Sequence, residues 1–149
     1  MKTSKGGLDF IVGNEALVLH PYRDSAGNPT IGVGHLLTED ELASGLININ
    51  GVDVAWKNYL TEEQGMALFA QDLQSREDAV NSYGLDLTQN QFDALVDFTF
   101  NAGVGALQKL LSHGVDDVPN QLPKWNRAGG AVCEGLVNRR AAEVELWNS

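Results

Sequence analysis

Apolar residues recur with helical spacing near the start of the chain and then give way to a pattern typical of strands. The apolar positions within residues 8–12 predict a first helix that ends at about Glu15. Residues 22–33 place turn-forming Ser, Gly, Asn and Pro between short extended pieces, the second of which is rich in β-branched side chains. This pattern predicts a β-hairpin, and residues 48–51 are interpreted as a third short strand or a loop.

Three further amphipathic stretches predict helices in the rest of the chain. Thr61 and Thr88 are each followed three positions later by Gln, which is the spacing of a helix N-terminal capping box. The helix predicted from Thr61 is long and ends near Gly84, and the helix predicted from Thr88 stops at Gly103. Residues 136–147 predict a last helix. The expected fold class is therefore α+β and mainly helical.

The order of these elements predicts one domain with two lobes. A chain of 149 residues buries enough surface to form a core without disulfides, and Cys133 is its only cysteine. We expect a small β-containing lobe at residues 16–60, a linking helix at residues 61–82, and a helical lobe formed by residues 1–15 and 83–149.

The charge of the chain argues against nucleic acid as a partner, because phosphate binding requires clustered Lys and Arg. The formal net charge is −10, and residues 38–100 hold twelve acids against two bases. Nothing near the start combines basic residues with a long uninterrupted apolar run. We therefore expect no secretory signal peptide and no stable membrane insertion.

Three residues with the chemistry of a glycosidase stand close together in the first part of the chain. Glu15, Asp24 and Thr30 follow one another at nine and then six residues. Two carboxylates and a hydroxyl that orients water are the groups that hydrolysis of a glycosidic bond requires. The C-terminal end of a helix disfavours a negative charge, so the pKa of Glu15 is expected to rise, as a general acid requires. Taken alone, Glu15 is typical of a solvated helix end, Asp24 of a turn and Thr30 of a strand.

The histidines do not indicate a metal site. His20, His35 and His113 occur at spacings that match no known ligand pattern, although acids are abundant. We therefore expect neither a metal ion nor another cofactor.

The segments around these residues resemble the phage-type lysozymes, which are muramidases of glycoside hydrolase family 24. The resemblance includes the spacing of Glu15, Asp24 and Thr30. It also includes three stretches in family order, which are TIGVGHLLT at residues 30–38, QFDALVDFTFNAG at 91–103 and GLVNRR at 135–140, with Glu143 and Trp147 beyond them.

The resemblance implies a lysozyme-like fold and hydrolysis of the β-1,4 bond between N-acetylmuramic acid and N-acetylglucosamine in a peptidoglycan glycan strand. It implies that Glu15 protonates the leaving oxygen, that Asp24 stays ionised to activate or position water, and that Thr30 holds this water from the other side. Such enzymes invert the anomeric centre, so the carboxyl groups are expected to lie about 6.5–9.5 Å apart.

The resemblance also implies supporting roles for residues farther along the chain. His35 matches the family histidine and Asp72 the acid with which it pairs, and we interpret this pair as structural. Asn101 and one of Arg139 and Arg140 match positions that line the family's cleft. The sequence leaves open which arginine faces the substrate.

Two other function classes fit part of the pattern. A catalytically silent peptidoglycan-binding or structural module would retain the same fold, and a helical protein-interaction domain would explain the helices but not the hairpin segment. As an enzyme, the protein is expected to be made in the cytoplasm and to act in the periplasm or cell wall. It would arrive as a phage endolysin released by a holin, or as an antibacterial effector delivered by a secretion apparatus, in which case an immunity protein is the expected partner.

Overall fold

Helices form most of the computed structural model, which describes residues 1–149. The chain divides into two compact units, one formed by Met1–Ile11 with Ser75–Ser149 and the other by Val12–Gln74. Small antiparallel sheets accompany the helices. The predicted α+β, mainly helical class is therefore confirmed.

The unit of residues 12–74 holds the larger sheet and a second hairpin. Its elements are β1 (Val18–Arg23), β2 (Pro29–Gly32), β3 (His35–Leu36), α2 (Glu39–Ser44), β4 (Leu46–Ile49), β5 (Val52–Ala55) and a 3₁₀ turn (Trp56–Asn58). Two helices begin in one unit and end in the other, namely α1 (Lys5–Asn14) and α3 (Glu62–Asn81).

The other unit is almost entirely helical. Its elements are α4 (Gln89–Ala102), α5 (Val104–Leu111), α6 (Val118–Gln121), α7 (Glu134–Asn148), two 3₁₀ turns (Val115–Asp117 and Leu122–Lys124) and a hairpin of β6 (Arg127–Ala128) and β7 (Ala131–Val132). Its core contains Phe92, Leu95, Phe98, Leu107, Leu110, Leu122 and Trp147.

The predicted hairpin is present as β1 and β2, and β3 extends it to three antiparallel strands. Tyr22 lies directly opposite Thr30, and the register shifts between Val18 and Tyr22, which marks a β-bulge. The buried face of this sheet contributes Ile31 to a core that also contains Leu37, Ile47, Ile49, Trp56, Leu60 and Leu68.

Residues 48–51, interpreted as a strand or a loop, contain the end of β4 and the turn into β5. Asn50 and Gly51 both have a positive φ, of 51° and 85°. An Asn-Gly pair with this backbone is the preferred two-residue hairpin turn, because its twist matches that of the flanking strands.

Both predicted capping boxes form. The Gln64 N–H donates to Thr61 Oγ1 at 3.1 Å, and the Thr61 N–H donates to Gln64 Oε1 at 2.9 Å. The corresponding box begins α4 at Thr88, and Gly103 ends this helix with a φ of 96°. Sequence reasoning missed a third capping box, which begins α2 at Thr38.

The start of α1 is anchored on α4. The Ser4 N–H and Oγ–H both donate to the buried carboxylate of Asp93, at 3.1 and 2.5 Å. Gly7 packs so closely that an added Cβ would lie 2.5 Å from Asp93 Cγ. Only glycine fits at this approach, because any larger side chain would displace the carboxylate from its donors.

Candidate functional site

Glu15 lies at the position that the hydrophobic pattern predicts. It directly follows α1, which ends at Asn14, and it is partly buried three residues before β1 begins. The short connection keeps the carboxyl group beside the first strand of the sheet.

Asp24 organises the turn between β1 and β2. Its Oδ1 accepts hydrogen bonds from the backbone N–H of Asn28 at 2.8 Å and of Ala26 at 2.9 Å. The hydrogen bond from the Asn28 backbone, with further donors in the same turn, holds the pKa of Asp24 below its ordinary value. Asp24 is therefore ionised at neutral pH.

Thr30 is buried in β2 with its hydroxyl proton already committed. Its Oγ1 donates to the carbonyl oxygen of Asn28 at 2.9 Å, and only 1% of the residue is exposed. A hydroxyl that donates in one direction offers lone pairs in the others. The lone pairs of Thr30 Oγ1 therefore remain able to accept a hydrogen bond.

Tyr22 lies opposite Thr30 and is influenced electrostatically by both Glu15 and Asp24. It lies opposite Thr30 across the β1–β2 pair, and side chains directly opposite in an antiparallel pair share a face. Burial raises the pKa of Tyr22, and the negative charges of Glu15 and then Asp24 raise it further. The structure thus brings both predicted carboxylates within electrostatic reach of one phenol. Sequence reasoning missed Tyr22, since an aromatic residue in a strand is ordinary.

His35 contacts the predicted Asp72 and also a second acid. Its Nδ1 lies 2.7 Å from Asp72 Oδ2, and its Nε2 lies 2.9 Å from Glu41 Oε1. Burial alone would lower the pKa of His35, but the hydrogen bonds and charges of the two carboxylates outweigh it and raise the pKa to about 9. The imidazolium therefore joins β3, α2 and α3 within this unit. Sequence reasoning missed Glu41.

This cluster predicts a loss of stability in alkaline solution. Because the pKa of His35 is about 9 when folded against 6.5 ordinarily, the folded protein holds a proton that the unfolded chain releases between these values. The contribution of His35 is complete below pH 6.5 and disappears as the pH rises through about 9. We expect urea unfolding to give a wild-type advantage over His35→Gln on the order of 2–3 kcal/mol at about pH 6, mostly lost by about pH 10.

The exposed His113 provides the control for this prediction. His113→Gln should not reproduce the pH dependence of His35→Gln. An advantage of wild type over His35→Gln that does not vary with pH would contradict a charged His35.

Asn101, Arg139 and Arg140 lie together in the mainly helical unit. Arg139 donates to both oxygens of the fully buried Asp97, at 3.0 and 2.7 Å. Arg140 donates to Asn101 Oδ1, and its guanidinium lies 4.9 Å from the centre of the Phe98 ring. Asn101 borders a pocket of about 440 Å³, lined also by Ala102, Lys124, Trp125, Arg127 and Leu136.

Glu143 completes this buried network as a neutral acid. Burial raises the pKa of Glu143 to about 10, and the neighbouring Asp97 acts in the same direction, whereas Arg140 acts in the opposite one. Glu143 Oε2 lies 3.0 Å from the Arg140 guanidinium but without hydrogen-bond alignment. With its pKa raised this far, Glu143 holds its proton at neutral pH.

Other features of the structure bear on the kind of site that is present. No group of three or more His, Cys, Asp and Glu side chains is arranged to hold a metal ion. Cys133 is a free thiol. No helix has the length and apolar character that crossing a membrane requires.

Comparison with known proteins finds relatives described as phage lysozymes and endolysins. The family model described as phage lysozyme matches residues 13–143. The chain is 36% identical to an endolysin of Bacillus phage PZA, over 100% of this chain and 56% of the relative. It thus spans about half the length of the first curated relatives that it matches, since it covers 54% of the endolysin of Bacillus phage B103.

Two solved structures with the same fold match over nearly their whole length. A crystal structure of a P22 lysozyme mutant has a TM-score of 0.78 at 32% identity and covers 100% of this chain and 99% of its own. The muramidase domain of SpmX from Asticaccaulis excentricus has a TM-score of 0.75 at 30% identity, with 99% and 98% covered. The family model, the relatives and the fold agree with one another, and the chain belongs to the phage lysozyme family.

Proposed function

We propose that this chain is a peptidoglycan hydrolase that cleaves the β-1,4 bond between N-acetylmuramic acid and N-acetylglucosamine. The observation that carries the proposal is the grouping of Glu15, an ionised Asp24 and Thr30 around one tyrosine in a chain of the phage lysozyme family. Relatives described as endolysins and a neighbour described as a muramidase domain support it.

In the proposed reaction, Glu15 is the general acid. Its proton passes to the glycosidic oxygen as the bond from that oxygen to the anomeric carbon breaks, and the bonding electrons remain on the leaving oxygen. The positive charge that develops on the sugar ring is offset by the Asp24 carboxylate.

Asp24 and Thr30 hold the attacking water in this mechanism. The water donates one proton towards the Asp24 carboxylate and the other towards Thr30 Oγ1, whose own proton is engaged by Asn28. Its lone pair is then directed at the anomeric carbon, and Asp24 accepts the proton that the water loses. Attack from the face opposite the leaving group inverts the centre, which NMR of the first product would reveal as the opposite anomer.

The remaining predicted residues have supporting roles in this proposal. The pair of His35 with Asp72 maintains the hairpin and α3 in one geometry within their unit. Asn101 accepts a hydrogen bond from Arg140 and contributes a polar group to the pocket that it borders. In this proposal Arg139 and Arg140 stabilise the part of the fold that carries Asn101.

For biological role we propose a cell-wall lytic protein that acts in the periplasm or cell wall after holin release or secretion-system delivery. The endolysin relatives favour a phage setting. The SpmX muramidase domain is a similar domain within a bacterial protein, so an effector with an immunity protein as its partner remains the second candidate.

Digestion of purified peptidoglycan tests the proposed activity. Released muropeptides would be reduced with borohydride and analysed by mass spectrometry to identify the sugar that carries the new reducing end. We expect new reducing ends on muramic acid. Binding without release would favour a silent peptidoglycan-binding module, and reducing ends on glucosamine would contradict the assigned bond.

A further inference from the structure

Tyr59, which follows the first 3₁₀ turn, has a backbone conformation that side chains rarely adopt. Its φ of 67° and ψ of 157° lie in a region that is essentially restricted to glycine, so the residue is strained. Its N–H donates to the carbonyl oxygen of Trp56 at 3.1 Å, and the Leu60 N–H donates to the carbonyl oxygen of Leu19 at 2.8 Å. Because Trp56 and Leu60 are both buried, the chain on either side of Tyr59 fixes this conformation.

Burial of the Tyr59 side chain does not offset this strain. The residue is 61% exposed, so its ring contributes little to the core of its unit. Strained residues persist where the surrounding structure over-determines them, and they cluster at sites that bind ligands. An aromatic ring contributes a large stabilising contact only when another group covers its face. The exposed ring on a strained backbone therefore indicates a surface that a ligand covers.

His20 of β1 lies beside this ring. The centres of the His20 and Tyr59 rings are 5.9 Å apart and their planes meet at 57°, so the two exposed rings form an angled surface. His20 Nδ1 lies 3.2 Å from the carbonyl oxygen of Pro21. A carbonyl oxygen can only accept, so Nδ1 carries the hydrogen and Nε2 of the neutral imidazole is an acceptor. The pair thus offers a flat aromatic face next to a hydrogen-bond acceptor.

This combination fits a sugar ring. A pyranose has C–H groups on its faces, which pack against the electron-rich face of an aromatic ring, and hydroxyls at its edge, which donate to acceptors. We propose that Tyr59 and His20 form an auxiliary sugar-binding site, in which Tyr59 stacks on a pyranose of the glycan strand and His20 Nε2 accepts a hydrogen bond from a sugar hydroxyl. This inference rests on the proposed function for its ligand, the glycan strand. Neither residue has a part in the proposed cleavage, so the site strengthens binding and leaves the chemical step unchanged.

Binding to insoluble peptidoglycan tests the site in Glu15→Gln, which leaves the glycan strand intact during the measurement. In this background Tyr59→Ala should weaken binding roughly 3- to 10-fold, the loss expected for one stacked ring. Tyr59→Phe keeps the ring and should bind as tightly as the parent. Tyr83→Ala is the matched control, since Tyr83 is an exposed tyrosine of the other unit, and it should also bind as tightly as the parent.

Muropeptide release separates this inference from the proposed function. With Glu15 present, Tyr59→Ala should retain the wild-type kcat and show a KM raised by the factor that binding loses. If the binding and the KM of Tyr59→Ala both equal those of the protein that retains Tyr59, the inference is overturned although the proposed function stands. If the wild type releases no muropeptides, the proposed function fails, and the binding measurement alone decides whether the sugar site exists.

Two further measurements apply even if Tyr59→Ala is poorly folded. Tyr59→Gly also removes the ring but fits the positive φ, so its unfolding midpoint in urea should be higher than that of Tyr59→Ala. A lower midpoint would contradict the strain on which the inference depends. NMR titration of Glu15→Gln with a soluble N-acetylglucosamine oligomer should shift the ring signals of Tyr59 and His20 and leave those of Tyr83 in place. Ring signals of Tyr59 that do not move would overturn the site.

Discussion

Replacing Glu15 with glutamine is expected to slow muropeptide release about 10²- to 10⁴-fold, which is the usual contribution of general acid catalysis. An amide has nearly the size of the carboxyl group but cannot give a proton to the leaving oxygen. Unfolding in urea at neutral pH shows whether the variant stays folded, so that a loss of rate can be assigned to the missing proton. Initial rates of release and urea unfolding curves measure the two effects separately.

Glu39→Gln is the control for this prediction, because Glu39 is an exposed acid of the same unit at the start of α2. It should retain nearly all activity. A Glu15→Gln variant with more than about a tenth of the wild-type rate would be inconsistent with a general acid, since even a weak contribution exceeds this. Family membership would be unaffected by that result, and the acid would have to be sought elsewhere.

Local patterns in the sequence were sufficient for much of the fold. The capping boxes at Thr61 and Thr88 and the stop at Gly103 are determined by residues within one or two turns of each other. The β1–β2 hairpin likewise follows from its own turn residues. The pattern at residues 48–51 fitted either a strand or a loop. The Asn50-Gly51 pair within it is itself typical of a two-residue hairpin turn.

The candidate site could be predicted only in part. The spacing of Glu15, Asp24 and Thr30 predicts that they act together, and their catalytic roles stay a prediction. The position of Tyr22 opposite Thr30 depends on the strand register, which the local pattern does not encode.

The buried charges were missed for a related reason. Charged residues on a helix are normally solvated, so nothing local marks Asp97 or Glu143 as buried. Their burial depends on the packing of α4 against α7, which brings Arg139 to Asp97 across more than 40 positions of sequence. Such pairing is a property of the tertiary structure.

Two conservative changes in this buried network are expected to differ greatly in their effect on the free energy of unfolding. Asp97→Asn removes the charge of the carboxylate to which Arg139 donates at both oxygens, and places a neutral amide beside an arginine that is 6% exposed. Loss of one member of a buried ion pair costs about 3–5 kcal/mol. We expect a fall of this size in the free energy of unfolding, measured by urea denaturation at neutral pH.

Glu143→Gln should cost little, because a neutral glutamine resembles the protonated acid. Its amide is uncharged and nearly the same size, and its oxygen can still face Arg140. We expect a change within about 1 kcal/mol at about pH 5. The free energy of unfolding should also depend on pH differently in Glu143→Gln and in the wild type. Wild-type Glu143 has a pKa of about 10 when folded against 4.5 ordinarily.

The folded wild type therefore holds a proton that the unfolded chain releases, and its free energy of unfolding falls as the pH rises between these two values. Glu143→Gln has no such proton, so its stability relative to the wild type should increase steadily from about pH 5 to about pH 9. Loss of stability in Glu143→Gln as large as that in Asp97→Asn would mean that Glu143 is ionised and paired with Arg140. A rise with pH, beside a strongly destabilised Asp97→Asn, would establish one charged and one neutral acid in the network.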